Sequence, residues 1–443
     1  MQITETTNEG LKRGFKVVIP SNAIETSVQQ KIASIAQSAQ LPGFRPGKVP
    51  TRVLRQRFGR SVLGEVLQET LDSTALQTIQ DKSLRPALQP RIEVTKFDEG
   101  ADLEFTMEVE ILPEITPGDF SQVKLERLVA EAADAEVEEG LKRLADQQKS
   151  YVAAEAGATA RDADAVVIDY QGSIDGETFV GGQGKDAQVV LGAGWLVPGF
   201  EGQLVGAKAG DQRTVNVTFP TDYPYEKLRG KAAVFDVTIK EVKLPKVPPI
   251  DDQLAKGLGL ETLDGLRQKV RDQIGQEFSQ ISRARLKREL LDRLDEMHRF
   301  DVPSGLVNGE FEAIWQQIQA DRERGVVDED QKGKSDDEVK AEYRPIAERR
   351  VRLGLLLAKI GEANTISVTQ DEVSRAIAVQ AQRFPGQEQR VFEYYQSNPE
   401  ASAQLRAPIF EDKVVDFILE LAKVTERKVT KEELLADPDT EKK

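Results

Sequence analysis

The clearest periodic signal in the chain lies at Leu103, Phe105, Met107, Val109 and Ile111, which alternate with Asp102, Glu104, Thr106, Glu108 and Glu110. A period of two with one apolar face predicts a half-buried strand, and Pro113 stops it. Upstream, Leu11 to Ile19 reads as a second strand ended by Pro20. Ser21 is placed to cap a helix with Ile24, Val28, Ile32 and Ile35 on one face, and a further helix is predicted from about Ser61 to Gln80. Residues 1–112 therefore form an α+β domain. Residues 113–152 read as a linker, with a strand at Val123 to Val129 and an acidic helix carrying Val137, Leu141 and Leu144.

The pattern then shifts to short β runs divided by glycine: Ala165 to Tyr170, Gln188 to Leu191, Thr214 to Phe219 and Ala233 to Ile239. That is the signature of a small antiparallel β domain over 153–245, followed by a stiff joint at Lys246-Val-Pro-Pro-Ile250. From Asp251 to Val424 the spacing is helical, interrupted at Val302-Pro303, at 325–337 and at Phe384-Pro385-Gly386. The apolar stripes of these helices are narrow, which predicts paired arms rather than one compact bundle. Residues 246–430 are read as the helical domain and 431–443 as a disordered tail, giving an α+β multidomain protein of roughly three domains.

Charge changes this picture. The chain carries a formal −15, yet residues 1–96 hold fourteen Lys or Arg against eight Asp or Glu, a net +6 that leaves −21 for the remainder. Lys31, Arg45, Lys48, Arg52, Arg55, Arg57 and Arg60 fall in a stretch without any acid. One end of the molecule can approach phosphate while the rest is repelled by it. Gly43, Phe44, Arg45, Pro46, Gly47, Lys48 and Pro50 form a proline- and glycine-rich loop inside this stretch, presenting an aromatic ring and two cations on a backbone that cannot be a continuous helix. The plainer alternative is an ordinary turn between helices.

Candidate chemistry is narrow. Cysteine is absent and the one histidine, His298, is expected to be a surface or packing residue, so catalytic triads, thiolate nucleophiles and His-rich metal sites are excluded and no metal or cofactor is expected. Gly181-Gly182-Gln183-Gly184-Lys185 and Gly333-Lys334-Ser335 fail as phosphate loops, because Phe179 and Asp328 stand where the leading glycine is needed. Met1-Gln-Ile-Thr-Glu-Thr lacks the features of an export signal, and no apolar run approaches a membrane span, which points to the cytoplasm. One reaction needs neither nucleophile nor cofactor: rotation about an X-Pro bond, whose barrier of about 18–20 kcal/mol arises from amide resonance. An apolar pocket can lower it by desolvating the carbonyl and fitting the twisted amide. Tyr170, Phe179, Trp195, Leu196, Val197, Phe200, Tyr223 and Phe235 supply such a set, although a small sheet must also bury aromatics as core.

The ordered motifs Val167-Ile-Asp-Tyr170-x-Gly172, Asp175-Gly176-x-x-Phe179, Leu191-Gly-x-Gly194-x-Leu196-Val-Pro-Gly-Phe200-Glu201, Phe219-Pro-x-x-Tyr223 and Gly230-Lys-Ala-x-x-Phe235-x-Val237 closely resemble the FK506-binding-protein type of prolyl isomerase over about residues 155–243. The resemblance implies that Tyr170, Phe179, Val197, Phe200, Tyr223 and Phe235 line the proline pocket, with Phe200 at its floor and Leu196 beside it, and that the Val197 N–H holds a substrate carbonyl. Two positions depart from that pattern: Val180 replaces an acidic residue that makes a polar pocket contact, and Ala187 replaces an aromatic wall, implying a wider, less selective site.

Gly43-Phe-Arg-x-Gly47-Lys48-x-Pro50, ahead of a central isomerase-like domain, resembles the ribosome-docking signature of the bacterial trigger factor family, and the region around Asp301-Val-Pro303-x-x-Leu306-Val307 and Val351 to Ile360 is similar to that family's helical arms. What the family likeness implies is a chaperone that docks on the large ribosomal subunit near the tunnel exit, touching a ribosomal protein and rRNA, with nascent and unfolded polypeptides as clients and weak self-association off the ribosome. Neither membrane nor DNA is an expected partner. A non-catalytic holdase or assembly chaperone, using the β domain only to bind peptide, stands as the alternative.

Overall fold

The computed structural model describes residues 1–38, 44, 49–98, 100–326 and 331–436. Two strands open the chain, β1 (Gln2–Glu9) and β2 (Lys12–Ile19), followed by helices α1 (Ser21–Ser38) and α2 (Thr51–Asp81), then β3 (Arg91–Lys96) and β4 (Leu103–Glu110). The four strands pair antiparallel in the order β1-β2-β4-β3. Leu103, Phe105, Met107 and Val109 of β4 are buried, as their alternation predicts, and pack with Phe15 and Val17 of β2 against Ile24, Val28 and Ile32 of α1 and Leu54, Val62 and Val66 of α2.

Three features differ from the sequence reading. The polar strand β1 was not expected, because Gln-Ile-Thr-Glu-Thr-Thr-Asn-Glu has no apolar face; it is held by its ladder to β2, with Ile3 its one contact with the core. Helix α2 begins at Thr51 rather than Ser61, since Pro50 is tolerated at its N-cap and the arginine-rich first turns are good helix formers that also place Leu54 in the core. Ser21 is the first helical residue, and its N–H donates to Asp102 Oδ1 at 2.8 Å, so the end of α1 is satisfied from beside the sheet.

Strand β5 (Lys124–Val129) and helix α3 (Asp134–Gln147) follow, where the sequence reading of 113–152 placed a strand and an acidic helix, and both carry core residues. Phe120, Val123 and Leu125 are core residues, and so are Val137, Leu141 and Ala145. The β domain comprises β6 (Ser150–Ala153), β7 (Ala165–Ile174), β8 (Glu177–Val190), β9 (Gln212–Thr218) and β10 (Ala232–Lys246). Its antiparallel sheet runs β6-β10-β7-β8, with β9 on the other part of β10.

The rest is helical: α4 (Asp252–Gly257), α5 (Leu263–Met297), α6 (Ser304–Glu323), α7 (Asp336–Ala363), α8 (Gln370–Ala381), α9 (Glu388–Ser397) and α10 (Pro399–Leu421), then β11 (Lys423–Lys428) and α11 (Lys431–Leu435). Helix α11 replaces the expected start of a disordered tail at 431. Thr430 and Glu433 form a capping box, and Leu434 is buried beside Leu128 and Phe278. Residues 437–443 lie outside the described residues.

The chain divides into two compact units, one of residues 1–127 with 283–427, the other of 128–282 with 428–443. Within the first, Leu286, Leu290 and Leu294 of α5, Leu353, Leu356 and Ile360 of α7, and Val414 and Ile418 of α10 close one core around Phe120 and Val123. Here His298 is a packing residue, just past the end of α5: its Nδ1 meets the Leu294 carbonyl at 2.8 Å and Nε2 accepts the Gly118 N–H at 2.9 Å. Within the second, α3 packs on Leu254 of α4 and Leu266 and Val270 of α5.

Candidate functional site

A cavity of about 540 Å³ opens in the β domain. Each element contributes a ring or an aliphatic chain: Tyr170 from β7, Phe179 from β8, Leu196, Val197 and Phe200 from the loop after β8, Tyr223 from the loop after β9, and Phe235 from β10. All seven residues that the family resemblance implied line this one cavity. Phe200 is 4% and Phe235 6% exposed, and their rings meet edge to face at 5.2 Å between centroids, forming the floor. Phe179 stands at 6.0 Å from both Phe235 and Phe219, near-perpendicular to each. These are edge-to-face geometries, which aromatic quadrupoles favour over a face-to-face sandwich.

Glycine makes the arrangement sterically feasible. A Cβ on Gly184 would lie 2.6 Å from the Tyr170 ring and one on Gly182 would lie 2.9 Å from that of Phe179, while Gly172 has the Phe235 ring directly over it. Three rings thus approach bare backbone so closely that even a methyl group at these glycines would force the ring or the backbone to shift. Gly182 and Gly184, in the run rejected above as a phosphate loop, serve this purpose.

Sequence reasoning did not place Phe219, Tyr225, Leu228 or Ile168 in the cavity wall, where the structure has them. Tyr225 is 70% exposed at the rim, with its ring 6.2 Å from that of Tyr223. The signal was available in the close spacing of Tyr223-Pro-Tyr225. Trp195 does not line the cavity and is largely solvent-exposed. Val180 and Ala187 both face the cavity, and Val180 projects fully into solvent on its rim. The lining is thereby largely apolar, with Gln188, Lys227 and three tyrosines as its polar residues.

Of the predicted docking loop, Gly43, Arg45, Pro46, Gly47 and Lys48 lie outside the described residues. Phe44 is 40% exposed and Pro50, also exposed, ends the loop at α2, while Val49 between them turns into the core. The seven cations do not act alike. Lys31 bridges Glu65 and Glu69, which raises its pKa chiefly through the Glu69 bond, and Arg55 pairs with Glu25 at 2.8 Å and holds that carboxyl below the usual range. Arg52, Arg57 and Arg60 are exposed on the first turns of α2, with no carboxylate partner among the described residues. Among those residues there is also no cluster suited to a metal ion, and no helix is long and apolar enough to cross a membrane.

An aromatic cavity walled by a twisted antiparallel sheet, set inside a longer α+β chain, defines a prolyl isomerase domain of the FK506-binding type. A family model for FKBP-type peptidyl-prolyl cis-trans isomerases matches residues 157–240, and models for bacterial trigger factor protein and for its C-terminus match 1–144 and 262–420. Trigger factors of Rhodospirillum centenum and Paramagnetospirillum magneticum are 49% and 50% identical over 439 residues, spanning 99% of this chain and 98% and 95% of theirs. A solved structure of the trigger factor chaperone, studied for promiscuous substrate recognition in folding and assembly, shares the fold at a TM-score of 0.56 and 19% identity, covering 95% of this chain and 99% of that one. This chain belongs to the trigger factor family of chaperones, and it carries that family's FKBP-type peptidyl-prolyl isomerase domain.

Proposed function

We propose that the chain docks on the large ribosomal subunit in the cytosol, receives nascent polypeptides and isomerises their X-Pro bonds in the cavity floored by Phe200 and Phe235. The observation that carries the isomerase assignment to individual residues is the convergence of Tyr170, Phe179, Leu196, Val197, Phe200, Tyr223 and Phe235 on one cavity. A prolyl ring entering this space leaves water, and the carbonyl before it loses the solvation that stabilises the planar, charge-separated amide. The Val197 N–H is the donor for a substrate carbonyl, holding the chain while the bond rotates. No proton is transferred and no covalent bond forms.

Docking is assigned to Phe44 as an apolar anchor and to Arg45, Lys48, Arg52, Arg57 and Arg60 as phosphate contacts on rRNA. The support is that Phe44 is exposed and that three α2 arginines are left uncommitted while Lys31 and Arg55 are not.

A proline-limited peptide assay tests the pocket. Replacing Tyr223 with Ala slows isomerisation about tenfold and leaves ribosome co-sedimentation intact. Equal rates for variant and wild type would remove the pocket assignment and favour the non-catalytic holdase, a reading to which Val180 and Ala187 in the cavity wall lend support.

A further inference from the structure

The loop that brings Leu196 and Val197 to the cavity contains Gly192, Gly194 and Gly199, all at positive φ. A loop so rich in glycine has much backbone freedom to lose on ordering, so something must hold it. The group in place to do so is Glu201, at the start of the 3-10 turn Glu201–Leu204, only 7% exposed. Its Oε2 accepts the Gly194 N–H at 2.8 Å, and its Oε1 accepts those of Trp195 at 2.9 Å and Leu196 at 3.2 Å. Successive backbone amides converging on an anion form a nest, and here the anion is the chain's own carboxylate. The next amide in the row, that of Val197, meets no acceptor among the described residues.

We propose that Glu201 is a positioning residue for prolyl isomerisation: by clamping the amides of Gly194, Trp195 and Leu196, it fixes the Val197 N–H as a preset donor to the bound peptide. Glu201 does not touch substrate. Its effect is that the donor needs no reorganisation when the peptide arrives, which is where such groups gain their advantage over water. The inference rests on the pocket reading above. It also explains the choice of residue. Glutamine would turn an NH2 group toward one of three backbone donors, and aspartate is a methylene too short to span them.

The test measures isomerisation of an X-Pro peptide by the full chain as wild type, Tyr223→Ala, Glu201→Gln and Glu201→Asp, with amide hydrogen exchange on the same samples. Glu201→Gln is expected to lower kcat/KM about tenfold and to speed exchange at 194–197, with β7 and β10 unchanged. A peptide series carrying a thiocarbonyl in turn at each position flanking the proline gives the readout that a purely structural role would not move. The member that slows wild type through the Val197 donor should show no further loss in Glu201→Gln, since that hydrogen bond is already impaired. Equal thiocarbonyl penalties in both proteins, or a wild-type rate for Glu201→Gln beside a slow Tyr223→Ala, would overturn the positioning role. A wild-type rate for Tyr223→Ala would instead refute the pocket. Should Glu201→Gln also loosen β7 and β10, Glu201→Asp decides: an intermediate rate with loss of protection confined to 194–197 supports the role, and a full rate with a loosened loop contradicts it.

Discussion

The cavity of the β domain and the basic tip of the N-terminal domain solve opposite problems. The cavity is assembled from rings contributed by several separate segments of chain, with Phe200 and Phe235 almost wholly withdrawn from water and glycines, rather than bulkier residues, against Tyr170, Phe179 and Phe235. At the tip, function is assigned to side chains that are exposed: Phe44, Arg52, Arg57 and Arg60. In the proposed function, one site works by excluding solvent and fixing shape, the other by presenting charge and one apolar ring to a partner. The difference predicts separate sensitivities, the first to small changes of volume and the second to salt.

The largest effect that would sharpen this contrast comes from a single methyl group. Gly172→Ala sets a Cβ against the Cδ1–Cε1 edge of the Phe235 ring, closer than van der Waals contact allows, so that this floor ring must shift. Isomerase kcat/KM should fall by one to two orders of magnitude in a proline-limited peptide assay, with ribosome binding unchanged.

How far the two sites were legible in the sequence follows the same divide. The cavity residues were recognisable because ordered motifs carry them, and β4 because Leu103 to Val109 alternate without a break. The reason for Gly172, Gly182 and Gly184 was not, since a close approach between ring and backbone has no local pattern. Glu201 was quoted within a motif, but its bonds to Gly194, Trp195 and Leu196 are invisible to periodicity. At the tip, seven cations read as one patch, although Lys31 and Arg55 are engaged with acids distant in sequence. Strand β1 escaped because pairing to β2, not apolar content, defines it, and residues 113–152 looked like a connector because their partners lie on α4, α5, α7 and α10.

Salt provides the next test. Raising ionic strength should weaken ribosome binding steeply while peptide isomerisation stays level. Arg57→Ala with Arg60→Ala should reduce the slope of log affinity against log salt by about 1.4, at roughly 0.7 per lost contact to single-stranded nucleic acid. An unchanged slope would remove these two side chains from the interface.

The smallest effect lies in the helical region and leaves both sites alone. Glu372 is held at a pKa of about 2, against 4.5 for the free side chain, first by the Lys413 ammonium and then by the capping amide of Thr369. A depressed folded-state value means that the carboxylate's contribution to α8 and α10 is full above pH 4.5 and fades as pH falls toward 2. Lys413→Met should flatten the acid limb of thermal stability over that interval, followed by circular dichroism, and should alter neither isomerisation nor docking at neutral pH.

The division of labour itself is tested most directly by pelleting ribosomes at low salt with wild type and with a variant carrying Phe44→Ala, Arg45→Ala and Lys48→Ala. The expected result is that wild type travels with the ribosomes and the variant stays in the supernatant. A variant that pellets like wild type would contradict the account.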